Sequence, residues 1–138
     1  MRRTLFSALL IVVASVQSGA SEEMTFGQVE YMNSCAQCHG ADGKGGGPMA
    51  GYLSGSLPDL TQLQNGNGGI FPVSSIYQMI EGAGTMGPHG SREMPAWGNR
   101  YSVAADDQIS FDLGVSRETY VKTRILALVE YLAFIQEQ

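Results

Sequence analysis

Residues 33–40 read NSCAQCHG and contain the only two cysteines in a chain of 138 residues. Cys35 and Cys38 stand three positions apart, and His39 follows the second at once. Several chemistries use closely spaced cysteines. A structural disulfide between these two would close a loop too short to constrain the unfolded chain much. A thioredoxin-like redox pair belongs in a βαβ setting, and the sequence has no sustained period-2 alternation. A zinc site would need two more ligands at metal spacing, and there is no second cysteine pair.

The sequence before the motif gives the expected compartment. Arg2 and Arg3 precede an apolar run from Leu5 to Val16, and Ser18-Gly19-Ala20 supplies small residues for cleavage. This pattern predicts a secretory signal peptide over 1–20 and a mature domain over 21–138. The run is shorter than the ~20 apolar residues a spanning helix needs. No later stretch is apolar enough to insert stably in a membrane. The mature segment carries six basic residues against 13 acidic ones, a net charge of −7. Such a surface suits neither nucleic acid nor anionic lipid, and would be steered towards a basic protein surface instead.

Glycine is concentrated in the middle of the chain. Fourteen of the 18 glycines and four of the five prolines lie between Gly40 and Gly90. Long irregular loops are unusual in a small domain unless the chain packs around something other than itself. Helical patterns flank this region. Glu22 to Asn33 reads as a short amphipathic helix, with Phe26, Val29 and Met32 at three-residue spacing. Ser116 caps a longer helix whose stripe is Val121, Ile125, Leu128, Leu132 and Ile135, widened by Val129. Ser75 to Glu81 is a third helix, capped by Ser74 or Ser75 and ended by Gly82. Residues 102–114 read as a loop.

With export and a glycine-rich wrap, Cys-x-x-Cys-His is the attachment signature of a c-type haem. Two thiols add across two vinyl groups on neighbouring porphyrin edges, and the two intervening residues give them the reach. The next residue then lies under the iron, which makes His39 the proximal ligand. An electron carrier also needs a sixth ligand, usually a methionine. Of the seven methionines, Met86 and Met94 fit best by position. His89 is the other imidazole and would give a bis-histidine haem of lower potential.

The chain resembles small class I bacterial cytochromes c, in particular those reading C-x-x-C-H-G-x-D-G-x-G-x-G-P. Here the pattern is Cys35, Cys38, His39, Gly40, Asp42, Gly43, Gly45, Gly47 and Pro48. Gly27 and Tyr31, with Leu128 and Tyr131, resemble the family's crossing of first and last helices. Arg92-Glu93-Met94-Pro95-Ala96-Trp97-Gly98 resembles its Met-Pro ligand loop. The resemblance leaves out residues 55–72 and 102–114. It implies an all-α fold of three to four helices, with long loops wrapped around one covalent haem c. It implies His39 and Met94 as axial ligands, and the carbonyl of Pro48, or failing that Pro58, as acceptor from His39. Trp97, Arg92 and Arg100 are candidates to meet the haem propionates.

The expected function is single-electron transfer in the periplasm between redox partner proteins, with no catalytic residue. A haem-bearing, electron-accepting subunit of a dehydrogenase is the alternative. An enzyme or a gas sensor would need an open or labile sixth position, against which the Met94 loop argues.

Overall fold

The computed structural model describes residues 23–82, 94, 95, 97–108 and 115–137. The proposed signal peptide lies outside these, as do Met86, His89 and Arg92. Among the described residues there is no strand. Helix α1 (Phe26–Ser34) runs into a single turn, α2 (Ala36–His39), and α3 (Val73–Glu81), α4 (Trp97–Gln108) and α5 (Arg117–Phe134) follow. Short 3-10 turns at Ala50–Tyr52, Leu60–Gln62 and Asn65–Asn67 punctuate the long α2–α3 connection. The all-α expectation therefore holds.

Helix α5 follows its sequence closely. The Ser116 hydroxyl accepts from the Thr119 N–H at 3.1 Å, satisfying one of the helix's otherwise unpaired first-turn donors. Ile125, Leu128, Val129 and Leu132 are buried, while Val121 and Ile135 pack partly exposed at the two ends. Each such aliphatic burial contributes ~1.5–3 kcal/mol, so this stripe anchors the core. Tyr31, Ala36, Ile76, Ile80 and Tyr101 complete it from the other helices.

Three local expectations need correction. Helix α1 begins at Phe26, because the Thr25 hydroxyl caps it by accepting from the Gln28 N–H at 3.2 Å. Its buried face is Gly27, Glu30 and Tyr31, whereas Phe26 and Met32 are exposed at 49 % and 39 %. The face is chosen by what α5 offers opposite it, a bare backbone and an arginine, and not by hydrophobicity. Helix α3 starts at Val73 after Pro72, with Ser74 and Ser75 inside it and no side-chain cap. Its expected end holds: Gly82 adopts a left-handed φ of 90° and donates to the Gln78 carbonyl.

The third correction is α4, which occupies residues 97–108 where a loop was expected from 102. Over residues 97–105 its buried positions are Gly98, Tyr101 and Ala105, with Trp97 half-buried. One tyrosine and one alanine make too faint a stripe to stand out among polar neighbours. Burial against α3 and α5 stabilises the helix instead.

The α1–α5 crossing tolerates no side chain at Gly27. A Cβ there would lie 2.1 Å from the Ala127 carbonyl oxygen and 3.1 Å from Tyr131 Cβ. Beside it the Tyr31 and Tyr131 rings meet at a centroid distance of 5.1 Å. Gly27→Ala must push the two backbones apart and is expected to destabilise the protein by ~1–3 kcal/mol. Gly66→Ala, where an added Cβ meets nothing within 4 Å, should be neutral or slightly stabilising. Thermal unfolding of the two variants checks this contrast, and equal stability would refute the close-crossing argument.

Candidate functional site

The site begins where α1 ends. The Cys35 N–H donates to the Tyr31 carbonyl at 2.8 Å, and the His39 N–H donates to the Cys35 carbonyl at 2.9 Å. The helical path thus continues through the motif as the single turn α2. Cys35, Cys38 and His39 stand at i, i+3 and i+4, positions that share one helix face. Both thiols and the imidazole consequently line one cavity of about 550 Å³. Pockets that take a large organic ligand run from about 300 to 1,000 Å³.

The glycine-rich turn then folds back over α2. The Gly45 N–H donates to the His39 carbonyl at 2.7 Å, Gly47 to Cys38 at 3.1 Å and Met49 to Gln37 at 2.8 Å. These bonds satisfy carbonyls that the end of a helix would otherwise leave unpaired. Gly40 leaves α2 at a φ of 81°, and its carbonyl accepts from the buried Tyr31 hydroxyl at 2.8 Å. Gly47 is needed for close approach. A Cβ there would sit 2.4 to 2.6 Å from the carbonyl oxygens of Gln37, Ala36 and Cys38.

Other segments complete the wall. Met94, Pro95, Trp97 and Arg100 line the cavity from the start of α4 and the residues just before it. The Arg100 guanidinium lies 4.7 Å over the Trp97 ring, an attraction between cation and ring face. Met94 is half-buried and also packs on the core. The α2–α3 connection adds Met49, Leu53 and Leu57. These three were absent from the sequence-derived site. The available signal was weak: isolated apolar residues in a glycine- and serine-rich stretch.

Pro48 does not line the cavity. It is exposed, held between Gly47 and Met49 as they bond to the attachment turn. Pro58 is exposed too. Arg92, Met86 and His89 lie outside the described residues.

Cys35 and Cys38 are free thiols, both partly buried. Burial, then Glu30 and then Cys38, push the Cys35 thiol up to about 12. Among the described residues no cluster of His, Cys, Asp or Glu is arranged to hold a metal ion directly. Two thiols and an imidazole on one turn, facing one large cavity, are instead the arrangement that attaches a haem covalently.

The family model for cytochrome c matches residues 25–111. The chain therefore belongs to the cytochrome c family, whose chemistry is haem-based electron transfer with the haem bound covalently. A search of curated proteins returned no match, and neither did a search of solved structures.

The carbonyl cradle over α2 gives a direct test. Gly47→Ala would drive a methyl group into three backbone carbonyls that cannot swing aside. It is expected to reduce the yield of haem-loaded protein and to lower its thermal midpoint, whereas Gly46→Ala, in open space, should do neither. Equal haem content and stability in the two variants would show that the cradle is looser than described.

Proposed function

We propose that the chain is a single-electron carrier that binds one haem c through Cys35 and Cys38, with His39 and Met94 as its axial ligands. The observation that carries this reading is one cavity lined by all four of these residues. The haem, once attached, supplies one-electron cycling between ferric and ferrous iron. The protein's part is to hold that centre in the same surroundings in both states. Cys35 and the α2 turn that follows it carry the two thiols and the imidazole together. Pro95 stiffens the chain after Met94 and restricts the backbone there to extended conformations. Trp97 and Arg100, joined ring to guanidinium at the cavity wall, would be the partners of the propionates.

The setting is proposed to be the periplasm, reached by way of a signal peptide over residues 1–20, with redox proteins as donor and acceptor. Among the described residues no helix is long and apolar enough to cross a membrane. The exported protein should have the mass of residues 21–138 plus one haem, and acid–acetone should not extract that haem. Residues 1–20 retained on the exported protein would overturn signal-peptide cleavage, a chain left in the cytoplasm would overturn export, and an apo mass would overturn covalent attachment.

Ligation is tested separately. Sulfur ligation favours ferrous iron more than a second imidazole does, so Met94→Ala should lower the potential and admit carbon monoxide to the reduced protein. Met86→Ala and His89→Ala should both keep the sulfur-to-iron charge-transfer band of the oxidised spectrum. If His89→Ala abolishes low-spin ligation while Met94→Ala does not, the protein is a bis-histidine cytochrome.

A further inference from the structure

A buried charge pair stands behind the cavity wall, and electron carriage as set out above gives it no role. Glu30 lies on α1, five residues before Cys35, and is 6 % exposed. Arg124 reaches it from α5, its Nη1 donating to Glu30 Oε1. Three rings surround the guanidinium, with Tyr120 at 4.7 Å, Phe26 at 5.6 Å and Tyr101 at 5.7 Å. Glu30 is buried and Arg124 partly so, and a pair of this kind is a poor source of stability, because desolvation offsets much of the attraction. Its charges, though, act over distance with little screening.

Two routes connect this pair to the cavity. Tyr101 meets Trp97, which lines the cavity, at a ring distance of 5.8 Å. Glu30 is close enough to Cys35 to be the second cause, after burial, that raises its thiol. Burial likewise raises the Tyr101 phenol; Ser34 opposes that shift, and Glu30 and Cys35 reinforce it.

We propose that Glu30 and Arg124 are positioning residues whose opposite charges balance at the Cys35, Cys38 and His39 site, Arg124 cancelling the bias that the Glu30 carboxylate alone would put on the reduction potential. This rests on the haem reading above. Ferric haem carries one more positive charge than ferrous haem. An uncompensated carboxylate behind the wall would favour the ferric form, and an uncompensated guanidinium would favour the ferrous form. Net charge around a redox centre is among the factors that tune its potential. The pair keeps both forms of the site near electrical balance while it bridges α1 and α5.

The test is a redox titration of the haem-loaded protein at one pH. Glu30→Gln should raise the midpoint and Arg124→Gln should lower it. Each shift should correspond to a two- to tenfold change in the ferric-to-ferrous ratio, ~18–59 mV for one electron. The double variant should return near the parent value. Arg124→Lys, which keeps the charge but loses the fork and the ring contacts, should be less stable yet nearly unshifted in potential. Shifts of the same sign in both single variants, or none, would leave the pair a purely structural bridge and overturn the proposal. So would a lysine variant displaced as far as the glutamine one. If Arg124→Gln does not fold, Glu30→Gln must still lie above both the parent and the double variant. A parent protein without covalent haem would instead sink the haem reading itself.

Discussion

At Gly27 the backbone of α1 comes so near α5 that even a methyl group would strike the Ala127 carbonyl. This contact fixes where α1 lies, and α1 delivers the chain directly into Cys35 without an intervening loop. The place of the attachment turn in the molecule is therefore set by a helix crossing that does not touch the cavity. The Tyr31–Tyr131 ring contact widens the same crossing, and the Tyr31 hydroxyl extends it to Gly40. One tyrosine thus links the helix crossing to the residue that follows His39.

From Gly40 onward the chain is held by backbone hydrogen bonds more than by side-chain packing. The carbonyls of α2 take three N–H groups from the returning glycine turn, and the Leu60 N–H in turn donates to the Gly43 carbonyl at 2.7 Å. Residues beyond α5 close the far side. Gln136 Nε2 donates to the Leu60 carbonyl at 2.8 Å, the Gln136 amide oxygen accepts from the Gln64 N–H at 2.8 Å, and the Glu137 N–H donates to Thr61 at 2.9 Å. The Lys44–Glu137 ion pair at 2.6 Å adds little, since both partners are about half exposed. A region poor in apolar residues is kept in one conformation by pairing its backbone around the cavity. This arrangement fits a fold whose core is shared between protein and haem.

Polar burial divides the molecule in the same way. Exposed charges such as Glu118 and Lys122, 2.6 Å apart on α5, do little beyond supporting their own helix. Glu30 and Arg124 are different because they are enclosed between α1, α4 and α5 and stand next to the cofactor wall. A hydrophobic pair would hold those helices at least as well. Held opposite each other, the two charges leave the redox centre unbiased, whereas either one alone would shift it.

Much of this was legible in the sequence. The Cys35-x-x-Cys38-His39 spacing specified its chemistry because the i, i+3, i+4 geometry is local and a single helical turn suffices to express it. The α5 stripe and its Ser116 cap were equally legible, since a long periodic pattern and a cap depend only on neighbours along the chain. The buried face of α1, the whole of α4 and the cavity wall from Met49 to Leu57 depended on tertiary structure. In each of these the decisive partner lies far away in sequence: the bare backbone at Ala127 and the guanidinium of Arg124 for α1, the core side of α3 and α5 for α4, and the carbonyls of α2 for the loop. Periodicity registers only a residue's own hydrophobicity. It cannot show that a glycine, a glutamate and an alanine will be buried because distant parts of the chain fit them.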